Sequence, residues 1–263
     1  MVGEVAHLRI DKLTKSFGGL TAVSGVNMYI DKGELVGLIG PNGAGKTTVF
    51  NLLTGVYTPT SGVITLETET GVKKLNGLPP HVISKCGLGR TFQNIRLFKD
   101  LSVLDNVIIA MHQHVGYLLP SAILHTPKYH QEERRLREEA IKLLDIFELT
   151  AKKDEFAKNL SYGDQRHLEI ARALATNPVL LLLDEPAAGM NPNETAALTR
   201  TISWLRNEYN LTILLIEHDM SVVMKICERI YVLDYGMLIA EGKPDEIKND
   251  PKVIEAYLGE NVE

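Results

Sequence analysis

The sequence predicts an α/β protein: a mostly parallel core sheet, an antiparallel β subdomain beside it and an inserted helical subdomain. Three observations predict this. The apolar run Leu35–Ile39 leads through Gly40-Pro-Asn-Gly-Ala-Gly-Lys-Thr-Thr48 into the helix-like run Val49–Leu53, giving strand, glycine-rich loop and helix in that order. Two further apolar runs, Val179–Leu183 and Leu211–Ile216, are continuous rather than alternating, as strands buried on both faces must be. Between them and the opening segment, the block from about 87 to 160 carries helical rather than strand periodicity.

Taken in order, Val5–Ile10 reads as a first strand and Lys15-Ser-Phe-Gly-Gly19 as a turn carrying an exposed aromatic. Val26, Met28 and Ile30 alternate with polar residues, the pattern of a half-buried strand, and Asp31-Lys-Gly33 turns into the strand before the glycine loop. Thr58–Gly62 is a turn and Val63–Leu66 a further strand. Gly87–Gln93 is predicted as a short strand that stops at the glutamine. Ser102 and Asp105 form a capping-box-like start for a helix to about Met111, and residues 112–130 read as a loop. Leu136, Ala140, Leu143, Leu144 and Phe147 recur at helical spacing among charged residues, an amphipathic surface helix. Further helices are predicted from Ser161 to about Ala175, stopped by Asn177-Pro178, and over 193–207. After the Leu211–Ile216 strand, a helix, the strand Ile230–Leu233, the turn Tyr235-Gly236, a strand and a short helical tail complete the chain. The expected division is one domain over 1–263, with 1–86 and 161–263 as the core and antiparallel layer and 87–160 as the helical lobe.

A chain of 263 residues suffices for one such domain, and 44% hydrophobic with 23% charged content is ordinary for a globular one. A net charge of -5 argues against nucleic acid as the main partner, because phosphate backbones select basic surfaces. Cys86 and Cys227 form no disulfide framework and no metal-ligand spacing, which fits a reducing compartment. The first seven residues lack a signal-peptide pattern, and the apolar stretch Tyr117–Leu124 is too short to span a membrane and is broken by Pro120. The histidines at 112, 114, 125 and 130 lie on a loop without ligand spacing and are not read as a metal site.

The glycine-rich loop carries the chemistry. Gly40, Gly43 and Gly45 let the backbone turn so that N–H groups face inward as an anion nest at a helix N-terminus. Residues Gly40, Pro41, Asn42, Gly43, Ala44, Gly45, Lys46, Thr47 and Thr48 are the expected phosphate cradle, with Lys46 reaching the β- and γ-phosphates and Thr47 holding Mg²⁺. Asp184, at the tip of a buried strand, is placed to order Mg²⁺ through its water shell, and Glu185 to polarise an attacking water. Kinase, GTPase and ATPase remain open at this point, although no Asn-Lys-X-Asp guanine-reading motif is present.

Leu160-Ser-Tyr-Gly-Asp-Gln165, shortly before the Asp184 strand, resembles the LSGGQ-type signature of ABC transporter ATPases, and with it the chain resembles that family nearly end to end. The departures are Tyr162 for the usual glycine, Asp164 before the glutamine, and Asn191 where the loop Ala187–Asn191 usually ends in aspartate. The resemblance implies that Ser161, Gly163 and Gln165 contact the γ-phosphate bound to a second subunit. It implies that Gln93 contacts Mg²⁺ or the attacking water, that His218 holds the γ-phosphate and orients Glu185, and that Phe17 stacks on adenine. It also implies a coupling groove on the helical lobe, with Arg96-Leu-Phe98 at its edge.

Within the family, Arg90–Phe98, Tyr162–Gln165, Asp184–Gly189, Glu217–Met220 and Ala256–Glu260 resemble the ATPase subunits of branched-chain amino acid importers. The partners so implied are a second ATPase subunit, two membrane permeases and an external binding protein, with this chain peripheral on the cytoplasmic face of the inner membrane. Importers of urea or amides, a lipid exporter, and a non-transport ABC ATPase are the alternatives; the last usually carries two ATPase domains or long coiled-coil insertions, which this sequence lacks.

Overall fold

The computed structural model describes residues 7–68, 71–116, 123–124 and 126–258, with the His114 side chain also outside the description. Two sheets meet around the glycine loop. Strands β1 (Leu8–Phe17), β2 (Leu20–Ile30), β4 (Ser61–Thr68) and β5 (Gly71–Lys74) form an antiparallel sheet in the order β2-β1-β4-β5. The second sheet has the order β10-β9-β3-β8-β7-β6. Its members are β3 (Leu35–Ile39), β6 (Leu88–Arg90), β7 (Leu180–Asp184), β8 (Thr212–Ile216), β9 (Arg229–Asp234) and β10 (Met237–Gly242). All its pairings are parallel except the edge hairpin β9-β10.

Every residue of β3, β7 and β8 is buried, which is why their sequences are unbroken apolar runs. The layer facing the antiparallel sheet packs Leu38, Leu182 and Leu214 against Ile10, Met28 and Phe50. The opposite layer packs Leu183, Ile213 and Leu215 against the helices.

The helices are α1 (Lys46–Leu53), α2 (Pro80–Lys85), α3 (Val103–Met111), α4 (Pro127–Ile146), α5 (Tyr162–Leu174), α6 (Pro192–Tyr209), α7 (Met220–Ile226), α8 (Pro244–Lys248) and α9 (Pro251–Leu258) among the described residues. Helix α5 packs on α3 and α4, so the helical lobe is built around it. Ser102 caps α3 by accepting from the Asp105 N–H, as its spacing predicts.

Four local expectations change. Lys15–Phe17 continue β1, and only Gly18-Gly19 make the turn, because Lys15, Ser16 and Phe17 pair with Val23, Thr21 and Leu20. The strand expected over 87–93 ends at Arg90, after which the backbone finds its partners on α5 rather than in the sheet. That short strand β6 pairs with β7 and so is part of the core sheet, although it lies in the block expected to be helical. Helix α4 begins at Pro127, inside the expected loop, because Thr126 caps it and proline suits a first helical position. Strand β5 and helix α2 were not foreseen; both are short and have little apolar periodicity. Of the expected first strand, Val5 and Ala6 fall outside the described residues, as do His125, residues 117–122 and Gly259-Glu260 of the tail.

Candidate nucleotide site

The glycine loop is held in shape from both sides. Gly40 and Gly45 have φ of 147° and 104°, and a Cβ at Gly45 would stand 2.6 Å from the Ala22 carbonyl oxygen. A Cβ at Gly40 would collide with the Leu233 carbonyl. Gly43 faces open space, so its φ of 77° alone requires glycine. Helix α1 starts at Gly45 with no side-chain cap, leaving its first N–H groups to an anion. Lys46 is buried and folds its ammonium onto the loop, donating to the Gly40 carbonyl at 2.5 Å and the Pro41 carbonyl at 2.8 Å. Such a nest fits a phosphate chain: inward N–H groups, a cation in reach and no side chain in the way.

Beside it, the ends of β7 and β8 bring three predicted residues together. Glu185 accepts from Gln93 Nε2 at 3.0 Å on one oxygen and lies 2.9 Å from His218 Nε2 on the other. Glu185 also has a φ of 48°, a left-handed conformation unusual for a side-chain-bearing residue and one that concentrates at functional sites. Its N–H is fixed by the Ile216 carbonyl at 2.9 Å, so the strain is held by the sheet. Glu217, buried next to His218, accepts from the Ala187 N–H at 2.7 Å and the His218 N–H at 3.1 Å, tying the turn after β7 to the end of β8. Burial pushes its carboxyl above the usual range.

Asp184 is buried and meets the Arg90 guanidinium at 2.9 Å. Arg90 also donates to Asn51 and Thr54 of α1, so it ties β6, β7 and the helix behind the phosphate nest into one unit. Thr47 is exposed at the start of α1. The Thr47 hydroxyl, the Asp184 carboxylate and the Gln93 amide oxygen are the hard oxygen donors that Mg²⁺ takes, so the residues present fit that ion.

Phe17 is half exposed at the end of β1, edge-on to Tyr57 at 5.1 Å, with Lys15 Nζ 4.9 Å from its ring centre. Ser161, Gly163 and Gln165 stand apart, at the start of α5. The Ser161 hydroxyl accepts from the Asp164 N–H, and Gln165 donates to the Leu160 carbonyl. Gly163 is buried, with Glu194 3.4 Å from where its Cβ would be. Asn191 caps α6 in a reciprocal box with Glu194. A groove of about 720 Å³ opens beside β6, lined in part by Val56, Ile83, Phe92, Arg96, Leu97 and Phe98.

The pattern of a family described as ABC transporter matches residues 23–188. The chain belongs to the ABC transporter family. A second pattern, the branched-chain amino acid ATP-binding cassette transporter, matches residues 237–263 of this ABC subunit. The chain is 48% identical to the branched-chain amino acid transport ATP-binding protein BraF of Pseudomonas aeruginosa over 96% of its own length and 98% of that protein's. Its identity to LivG of Escherichia coli is 49% over the same shares of the two chains. Identity falls to 35% with the lipopolysaccharide export ATP-binding protein LptB of Haemophilus influenzae, over 96% of this chain and 97% of that one. A crystal structure of an ABC transporter cassette in its ADP conformation superposes with a TM-score of 0.82 at 32% identity, covering 97% of this chain and 99% of that one.

Against the ABC pattern, the residues that sequence reasoning missed are second partners of those it found: Arg90 on Asp184, Glu217 on the turn after Glu185, Tyr57 on Phe17, and the pair Arg166–Glu169 on the Gln93 loop. The signal for the last was present, as an arginine and an acid three residues apart on the apolar face of a helix.

Proposed function

We propose that this chain is the ATP-binding and ATP-hydrolysing subunit of an importer for branched-chain amino acids. The observation that carries the hydrolytic reading is Glu185, with one oxygen held by Gln93 and the other by His218 at the lip of the phosphate nest. Near-half identity to BraF and LivG along almost the whole chain supports the cargo.

The nest binds the phosphates through backbone N–H groups, and Lys46 leaves the Gly40 and Pro41 carbonyls to pair with them. Glu185 accepts a proton from the attacking water, with His218 and Gln93 fixing the carboxylate's direction. Thr47, Asp184 and Gln93 would hold Mg²⁺, and the charge it would supply there would offset that of the transferred phosphoryl group. Little bond making is asked of the protein, so its residues act by position and charge. Phe17, backed by Tyr57, offers a face to adenine.

Ser161, Gly163 and Gln165 act on nucleotide held by a second ATPase subunit, so two subunits close over two ATP molecules. The groove bearing Arg96, Leu97 and Phe98 seats a segment of one of two permeases, whose cargo arrives through an external binding protein. The chain then sits at the cytoplasmic face of the inner membrane; among the described residues no helix is long and apolar enough to cross it.

The test is uptake of labelled leucine by cells whose only copy of the gene carries Glu185→Gln. Uptake is expected to vanish while the unmodified gene supports it. Intact uptake, with hydrolysis lost in the purified variant, would overturn the cargo assignment and leave the ATPase reading standing.

A further inference from the structure

Beyond Arg90 the chain leaves the sheet, and its last ladder bond runs from the Thr91 N–H to the Leu182 carbonyl. The next backbone groups need other partners, and helix α5 supplies them: Arg172 donates to the Arg96 carbonyl, and a pair of side chains three residues apart holds four more groups. Arg166, completely buried, donates to the Phe92 carbonyl at 2.7 Å and to the Gln93 carbonyl at 2.9 Å. Glu169, also buried, accepts from the Phe92 N–H at 3.3 Å and the Arg96 N–H at 3.2 Å on one oxygen. Its other oxygen meets Arg166 at 2.8 Å, closing the cluster. Four backbone groups of the segment 92–96 thus hang on one buried ion pair.

The location gives this arrangement a consequence. The Gln93 carbonyl is held by α5, while its side chain donates to Glu185 at the end of β7. Helix α5 begins at Ser161 and packs in the helical lobe against α3 and α4. Phe92, Arg96 and Glu169 also line the groove beside β6. Burying such a pair is tolerable only when most of its remaining hydrogen-bonding groups are engaged; backbone groups of this one loop and the Tyr162 hydroxyl engage them here, with Arg166 Nε left without a partner among the described residues. A guanidinium fork bonded to two successive carbonyls fixes both the position and the plane of the peptide, which an ammonium cannot do.

We propose that the Arg166–Glu169 pair is the positioning element that locks the Gln93 loop to helix α5, so that movement of that helix carries the Gln93 amide onto or off Glu185. The proposal rests on the hydrolytic reading of Glu185. Neither residue touches the phosphate nest, so the pair acts on turnover through Gln93 and leaves nucleotide binding alone.

The test uses Arg166→Lys, which keeps the charge and loses the fork, with Glu169→Gln as the second variant should the first not fold. In the purified full-length chain, Arg166→Lys is expected to lower kcat about tenfold with KM within about twofold, the signature of an interaction used in the transition state. In a Gln93→Ala background the same substitution is expected to cause no further loss, because its effect runs through Gln93. The chain has four glutamines, so the Gln93 side-chain amide is assignable in a ¹⁵N-glutamine spectrum by its loss in Gln93→Ala. That resonance should move in Arg166→Lys toward its position in Glu185→Ala. An unmoved resonance, or a kcat loss that multiplies with that of Gln93→Ala, overturns the link. An unmodified chain without ATPase activity, in which the resonance still moves, sinks the hydrolytic reading and keeps the link.

Discussion

Arg90 makes the sharpest energetic prediction in the site. Its side chain and that of Asp184 are only 8% and 3% exposed, so neither charge has water to fall back on. Arg90→Met keeps an aliphatic stem but removes the guanidinium, which also lies over the rings of Phe50 and Phe92, and Asp184 is left as an unpaired buried carboxylate. Breaking one partner of such a pair costs about 3–5 kcal/mol. The bonds to Asn51 and Thr54 add about 1 kcal/mol each at most, since these groups can find other partners. Against a total stability of about 5–15 kcal/mol for a domain, that is a large fraction. Asp184→Asn keeps an amide acceptor opposite Arg90 but leaves the buried guanidinium without its counter-charge, and should cost about 3 kcal/mol, the low end of the same range. The double variant has no unpaired carboxylate, so it should be less destabilised than the sum of the singles by about 2–3 kcal/mol. Urea unfolding of the four proteins measures each step. A sum that adds within about 0.5 kcal/mol would show that the pair is not coupled, and the account of Asp184 as a charge held in place by Arg90 would be refuted.

Lys46→Ala should abolish ATP binding in a nucleotide titration, because it removes the ammonium folded onto the nest; unchanged affinity would sink the phosphate assignment. Gly45→Ala forces a Cβ to 2.6 Å from the Ala22 carbonyl at a φ of 104°, and should cost at least about 2 kcal/mol in urea unfolding while weakening nucleotide binding. His167 is pushed below its ordinary 6.5 chiefly by burial, and His7 likewise, so both stay neutral in the folded chain where the unfolded chain takes up protons. Stability therefore falls as pH drops below about 6.5, and His167→Phe should shrink that fall between about pH 7 and 5.5; an identical pH profile would show that His167 does not contribute.

What was legible in the sequence follows from which interactions are local. Leu35–Ile39, Val179–Leu183 and Leu211–Ile216 announce themselves because a doubly covered strand cannot alternate, and the glycine loop because only glycine tolerates its backbone. From those, Asp184 and Glu185 follow as the residues at a parallel strand end, while His218 was placed by resemblance. Gln93 was placed by resemblance alone. Its position is set by Arg166 and Glu169, about 70 residues away in the chain, and no local pattern at Gln93 encodes that. The end of β6 was overestimated for the same reason: Phe92 and Gln93 look like strand, but their partners are side chains of a helix.

The site divides into a part that cannot move and a part that can, and the division follows burial. Lys46, Asp184 and Arg90 are buried and bonded to backbone or to one another, and Gly40 and Gly45 are hemmed in by carbonyls from β9 and β2. Distorting any of these exposes a polar group to an apolar neighbour, so the phosphate nest is present before nucleotide arrives. Gln93 and the His218 ring are exposed, and each reaches Glu185 by a single hydrogen bond that water can replace for about 1 kcal/mol. Binding can therefore be strong while hydrolysis stays adjustable: a small shift of α5 costs little at Gln93 and nothing at the nest. An ATPase that must wait for a partner before it fires needs that asymmetry, because a rigid catalytic end would spend ATP without transport and a soft nest would not hold ATP at all.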